Sequence, residues 1–268
     1  MLTSSSSTSA QTSPSKAGLA ALPDLSQVAL FLDFDGTLVE IAERPDAIIV
    51  PDDLPATLRA LDDATGGAVA VVSGRRLDEL DAWLTGFDGV LIGSHGAETR
   101  NGADAGGDGA AHTGRAFSDA RDRLRGWVAG RDGVLLEEKP ASLVLHYRQV
   151  PTCEGACADI MDTVASDLPG FEVRPSKMAF ELMPKSVSKE TVVQDLMTRW
   201  SGRIPVAIGD DRTDEGMFRA AQALGGTGIK VGEGDTLASS RLPDVTALRA
   251  LLADWLEAEA RGVTCRTA

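Results

Sequence analysis

The 268-residue sequence predicts an α/β fold: a doubly wound parallel sheet with a separate α+β unit inserted into it. Three observations predict it. Short, continuously apolar runs such as Val28–Leu32 and Ala68–Val72 read as strands buried on both faces, as in parallel sheets covered by helices. These runs alternate with helical patterns, which implies right-handed βαβ crossovers. Between about residues 100 and 184 the alternation gives way to a helix–strand–strand–helix–strand–strand order, the mark of an antiparallel α+β unit.

Taken in order, residues 1–26 are rich in Ser, Thr and Ala, have little to bury, and are expected to form a disordered tail. The first strand is Val28–Leu32. Asp52 to Asp63 follows as a helix with Leu54, Leu58 and Leu61 on one face. Ala68–Val72 is a second buried strand, Leu77–Leu84 a helix, and Val90–Ile92 a short third strand. The Gly- and Asp-rich stretch Asn101–Gly109 reads as a loop. The inserted unit then runs through a helix near Phe117–Val128, strands Val134–Glu138 and Ser142–Tyr147, a helix near Gly155–Ala165, and strands Phe171–Arg174 and Met178–Met183. The first pattern resumes with helix Ser188–Trp200, strand Pro205–Ile208, helix Thr213–Ala223, strand Thr227–Val231 and helix Val245–Glu259. The expected division is a core of residues 27–99 and 185–268 and a cap of residues 100–184, hinged near Asn101–Gly109 and Pro184–Ser188.

Apolar residues make up 43% of the chain, enough for a buried core, and aromatics only 4%, so aliphatic packing must carry it. A formal charge of −14 without basic clusters argues against nucleic acid and against an anionic membrane surface. The same charge opposes a phosphorylated ligand unless a divalent cation dominates the site locally. Cys153, Cys157 and Cys265 fit no simple disulfide framework and no zinc set, so a reducing, cytoplasmic location is expected. No apolar run approaches the ~18–20 residues needed to span a bilayer, and the N-terminus lacks a secretory pattern.

Four features carry chemistry. Asp33-Phe34-Asp35-Gly36-Thr37 follows the first strand directly. Ligands of open α/β sheets bind beyond the carboxyl ends of strands, and side chains two apart in extended chain point the same way, so Asp33 and Asp35 can face one cleft. Two neighbouring carboxylates repel, and a cation on one with a proton on the other relieves this, giving a nucleophile beside a general acid. A calcium loop is the alternative, and it fails because the required glutamate position is Arg44. Ser73-Gly74-Arg75 follows the second strand, where a hydroxyl and free N–H groups can hold phosphate oxygens, although helix capping explains it equally well. Lys189 opens a helix and could neutralise a phosphoryl group. Gly209-Asp210-Asp211-Arg212-Thr213-Asp214-Glu215 crowds four carboxylates at a strand end, a costly arrangement without a cation among them.

In this order the four features resemble the motifs of the haloacid dehalogenase (HAD) superfamily of phosphatases, over about residues 27–256. Within it the sequence is similar to the trehalose-6-phosphate phosphatase family, through Gly93-Ser94-His95-Gly96-Ala97-Glu98, Lys139-Pro140-Ala141-Ser142-Leu143, Leu145-His146-Tyr147-Arg148 and the stretch 209–215. The resemblance implies a Rossmann-like core with an inserted α+β cap. It implies a monomer acting on a small-molecule sugar phosphate through an aspartyl-phosphate, with Mg2+ as cofactor. Asp33 would be the nucleophile and Asp35 the acid and base. Ser73 and Lys189 would hold the phosphoryl group. Asp33, Asp35 (through its carbonyl), Asp210 and Asp214 would surround the metal.

Glu98, Lys177 and Glu181 would meet sugar hydroxyls, with Arg75, His95 and His146 as further candidates. His95 could instead bond backbone, His146 could be structural, and Lys177 and Glu181 could pair with each other across one strand face. Arg121 and Arg125 read as a solvated helix face, and His112 as part of a polar linker. Two residues depart from the family pattern: Glu190, which would weaken phosphate binding if it faced the cleft, and Met183, where a polar residue is expected beside the sugar. A phosphatase for a sucrose or mannosyl-glycerate phosphate is the nearest rival. A non-catalytic sugar-phosphate sensor is a rival of a different class, and the presence of both Asp33 and Asp35 argues against it.

Overall fold

The computed structural model describes residues 22–42, 47–102, 114–139, 141–176 and 178–262. Among these the chain runs through β1 (Val28–Leu32), α1 (Leu54–Thr65), β2 (Val69–Val72), α2 (Leu77–Trp83), β3 (Val90–Gly93) and β4 (Glu98–Arg100). It continues through α3 (Arg115–Val128), β5 (Leu135–Glu138), β6 (Leu143–His146), α4 (Glu154–Ser166), β7 (Phe171–Ser176) and β8 (Ala179–Pro184). It ends with α5 (Lys189–Arg199), β9 (Ile204–Gly209), α6 (Glu215–Ala223), β10 (Thr227–Val231), β11 (Ser240–Leu242) and α7 (Val245–Ala260).

The main sheet has the order β11-β10-β9-β1-β2-β3-β4, parallel except for β4 at one edge. Both faces are covered, which is why its strands are apolar without interruption. Val28, Leu30 and Leu32 pack with Leu54, Leu58 and Leu61 of α1 and Leu248 and Leu252 of α7. Ala29 and Phe31 face the other way, onto Val192, Val193 and Leu196 of α5 and Met217 and Phe218 of α6. Each fully buried Val, Leu, Met or Phe side chain here contributes about 1.5–3 kcal/mol relative to exposure. Strand β1 lies between β2 and β9, so the chain turns to one side after β1 and returns on the other, leaving a crevice at their carboxyl ends.

The second sheet has the order β5-β6-β8-β7 and is antiparallel throughout. One face is apolar: Leu143, Leu145, Leu182 and Phe171 pack on Phe117 and Leu124 of α3 and on Cys157, Met161 and Val164 of α4. On the opposite face Glu137, Val144, Glu181 and Arg174 stand in one cross-strand row.

Several expectations change. Residues 22–26, assigned by sequence to the tail, are packed: Leu25 is fully buried and the Trp255 indole donates to the Pro23 carbonyl at 3.0 Å. The edge strands β4 and β11 carry too few apolar residues to be read as strands. Arg121 and Arg125 are not simply solvated. Arg125 holds Glu138 in a fork of 2.6 and 2.7 Å, and Arg121 lies over the Phe117 ring. The stretch from Thr213 begins as a short 3-10 turn, Arg212–Asp214, and becomes α-helical at Glu215. Most of the expected Asn101–Gly109 loop, His112, Lys177 and Cys265 lie outside the described residues. Among the described residues no helix is long and apolar enough to cross a membrane.

Candidate active site

The carboxyl ends of β1 and β9 meet at two aspartates. Asp33 is 5% exposed and its N–H donates to the Ile208 carbonyl at 2.9 Å, which ties the end of β1 to β9. The turn that follows needs Gly36 twice over. Its φ is +78°, and a Cβ there would lie 2.2 Å from Asp210 Oδ2. Thr37 Oγ1 sits between the two aspartates, within reach of Asp33 Oδ2 at 3.1 Å and Asp210 Oδ1 at 3.4 Å.

Lys189, 4% exposed at the first turn of α5, donates to Asp33 Oδ1 at 2.5 Å and to Asp214 Oδ1 at 2.6 Å. Ser188 caps this helix by accepting from the Thr191 N–H at 3.1 Å, which fixes where the lysine departs. Asp214 is fully buried, and its Oδ2 accepts from the N–H groups of Asp210 and Asp211, both at 3.0 Å. Asp214 therefore shapes the turn from which Asp210 projects. Gly209 makes room for it, since a Cβ there would lie 2.4 Å from Asp214 Cγ.

Asp33, Asp210 and Asp214 can each offer a carboxylate oxygen within 4.8 Å of the others. Burial, then the charge of Asp214, pushes the Asp33 carboxyl above the usual range against the pull of Lys189. The same two causes push Asp210 up to about 6. Burial alone would lower Lys189, yet Asp214 and Asp33 outweigh it and raise it. Carboxylates pressed together in this way favour a cation. Asp214 has both oxygens engaged, and Asp33 meets Lys189 and Thr37, which leaves the partly buried Asp210 as the most open donor of the three. A small divalent ion that takes few carboxylates and keeps water fits that set.

Asp35 stands apart from this cluster. Its carboxylate accepts a fork from Arg75, Nε to Oδ2 and Nη2 to Oδ1, both at 2.7 Å. Arg75, expected from sequence at the sugar surface, thus faces the second aspartate of its motif. Ser73 is buried and its Oγ accepts from the Arg75 N–H at 3.1 Å.

His95 has a left-handed backbone (φ +59°), and its ring covers Gly74, where a Cβ would lie 2.6 Å from His95 Cε1. Burial pulls its imidazole down to about 4, partly opposed by Glu181. Glu181, on β8, accepts from Ser142 Oγ at 2.7 Å and from Lys139 Nζ at 3.4 Å. Burial would raise its carboxyl, but Lys139 and His95 hold it below the usual range. His146 bonds Glu137 at 2.8 Å, which lowers Glu137, with a smaller contribution from Arg76. Glu181 thus lies within electrostatic reach of His95, and Glu137 within that of Arg76.

Glu98 and Glu190 both have protein partners. Glu98, expected to meet the sugar, uses Oε2 to accept from the Leu77 N–H at 3.0 Å and from Ser94 Oγ at 2.8 Å, fastening the start of α2 to β4. Glu190 does not crowd the cleft. It turns to α6 and pairs with Arg219 at 2.8 Å. Met183 is buried on β8, on the same face of the sheet as Glu181. Sequence reasoning also gave no role to Thr37, Glu137, Lys139, Ser142 and Lys230. Lys230 is buried on β10 and donates to the carbonyls of Asp210 and Val231. The position of Lys230 in a buried strand was the available signal for it, because a lysine there needs partners.

A family model described as trehalose-phosphatase matches residues 31–245. The chain is 37% identical over 248 residues to the trehalose-6-phosphate phosphatase of Escherichia coli, covering 89% of each chain. It is 37% identical over 240 residues to a probable trehalose-phosphate phosphatase of Sinorhizobium fredii, covering 86% of this chain and 88% of the relative. Its fold is similar to the crystal structure of a trehalose-6-phosphate phosphatase related protein, with a TM-score of 0.69 at 24% identity, over 88% of this chain and 99% of that one. With the motifs in place at the strand ends and the match spanning most of its length, the chain belongs to the trehalose-phosphatase family.

Proposed function

We propose that this protein hydrolyses trehalose 6-phosphate to trehalose and phosphate, with Asp33 as nucleophile and Asp35 as acid and base. The observation that carries the reading is the meeting of Asp33, Lys189 and Asp210 at the ends of β1, α5 and β9. Asp33 attacks phosphorus, the bond to the sugar oxygen breaks, and Asp35 delivers a proton to that oxygen. Asp35 then takes a proton from water as the water attacks phosphorus, which releases phosphate and restores the Asp33 carboxylate. Lys189 and the Ser73 hydroxyl hold the phosphoryl oxygens while charge shifts across them.

Asp33, the Asp35 carbonyl and Asp210 would hold Mg2+, with Asp214 behind them. When bound, the ion supplies positive charge against the phosphoryl oxygens. The polar face of the second sheet is suited to sugar hydroxyls through Glu137, Lys139, His146 and Glu181, with Lys177 beside them in the sequence. In this role the sheet acts as a cap that keeps bulk water from the reacting atoms. The free thiols of Cys153 and Cys157 support a reducing compartment such as the cytoplasm.

Phosphate release from a panel of sugar phosphates, with and without Mg2+, tests the reading. Trehalose 6-phosphate is expected to lead in kcat/KM by at least about tenfold, ~1.4 kcal/mol, and to depend on the ion. A higher value for a sucrose or mannosyl-glycerate phosphate would reject the substrate.

A further inference from the structure

We propose that Arg75 is a positioning residue for Asp35 and not a sugar contact: its guanidinium sets where the Asp35 carboxylate stands while protons move. The inference rests on the acid–base role given to Asp35 above.

Four contacts form a closed ring around that carboxylate. Arg75 grips Asp35 through two parallel bonds of 2.7 Å. The guanidinium lies over the Trp83 ring, 5.2 Å from its centroid. Trp83 stacks on Phe34 with centroids 5.7 Å apart and planes 6° from parallel. Phe34 is the chain neighbour of Asp35, so the ring closes through one peptide bond. A carboxylate offers about four acceptor positions. The fork takes two of them, which leaves the other edge of Asp35 for the leaving oxygen and then for water.

A flexible Lys would hold a carboxylate at one point, whereas the planar fork fixes its orientation. The same residue is tied to the turn that faces the phosphoryl group. Its N–H donates to Ser73 Oγ at 3.1 Å, and its carbonyl accepts from the Ser94 N–H at 2.7 Å. Arg75 thereby sets the distance between the proton carrier and the phosphate-holding turn. Turning toward a sugar would break both bonds of the fork and leave the Trp83 platform.

The test uses Arg75→Met and Arg75→Lys, each alone and combined with Asp35→Asn. On trehalose 6-phosphate, both single variants are expected to lose roughly 30- to 100-fold in kcat, the scale on which a misplaced catalytic group acts, with KM within about twofold. In the Asp35→Asn background, adding Arg75→Met should leave calorimetric binding of trehalose 6-phosphate within about twofold, because Arg75 then has no acid to position. An unchanged kcat in Arg75→Met, or a tenfold loss of binding on adding that change to Asp35→Asn, would overturn the inference in favour of no role or a sugar contact. Should Arg75→Met fail to fold, Trp83→Leu loosens the same fork and is read by the same split between kcat and KM. Asp35→Asn alone tests the underlying reading. Full turnover in that variant removes the acid–base role itself, a result distinct from any effect of Arg75.

Discussion

The two sheets of this molecule use the same alternation of side chains to different ends. In the main sheet both faces are buried, so no strand interior is left for chemistry, and the groups proposed to react collect where strands stop: Asp33 after β1, Ser73 after β2 and Asp210 after β9. In the second sheet one face is buried against α3 and α4, and the polar groups lie along the other face, in the middle of strands. The first arrangement holds groups by rigid backbone ends and suits a reaction. The second presents a row of replaceable side chains and suits recognition.

Four experiments would break or sharpen that contrast. Asp33→Asn should lower turnover by at least ~10⁴-fold while the protein keeps its circular dichroism and melting temperature. Substantial activity would remove the nucleophile from the strand end. Gly36→Ala should follow. The φ of +78° and the 2.2 Å approach to Asp210 predict about 1–3 kcal/mol of destabilisation from strain, with roughly a hundredfold fall in kcat as Asp210 is pushed aside. Denaturant unfolding and steady-state kinetics check both parts.

Glu181→Gln, on the other sheet, should raise KM for trehalose 6-phosphate about tenfold, ~1.4 kcal/mol, and leave p-nitrophenyl phosphate turnover unchanged. Equal losses on both esters would show that the two sheets do not divide the work.

The smallest effect concerns His95, which lies between the sheets. Its imidazole sits near 6.5 when unfolded and about 4 when folded, so the unfolded chain takes up the proton first. Its contribution to stability is complete above about pH 6.5 and is lost as pH falls toward 4. The lowered Glu181 acts in the same sense at more acid pH. Between pH 7 and 4.5 the parent protein should lose roughly 1–2 kcal/mol more than His95→Asn, a figure reduced because the ring is only partly buried. Asn also tolerates the left-handed backbone there. Equal pH dependence in urea unfolding would show that burial does not hold this imidazole down.

The same contrast explains what could be read from the sequence. Apolar runs announce buried parallel strands, and Asp33, Lys189 and Asp210 could be placed because they adjoin such runs or a helix start. Edge strands β4 and β11, Glu98-Thr99-Arg100 and Ser240-Arg241-Leu242, leave no such trace because they are short and mostly polar. The contacts of Glu98, Arg75 and Glu190 were not legible in the sequence, for one reason. Each side chain has a partner fixed by tertiary approach: the Leu77 N–H and Ser94 for Glu98, Asp35 for Arg75, Arg219 for Glu190. Glu137 and Lys139 were given no role for a related reason. Their facing depends on the register of β5 against β6, and a sequence does not print register.

The hydrogen bond from the Asp33 N–H to the Ile208 carbonyl joins positions separated by the whole second sheet in the chain. During synthesis β1 therefore emerges long before its neighbour β9, and a ribosome carries the complete second sheet before the central pairing of the first can form. A nascent chain stopped short of β9 contains Asp33 and Asp35 but has no opposing Asp210. On the roles proposed above, catalytic competence is thus withheld until β9 and the turn after it have been made.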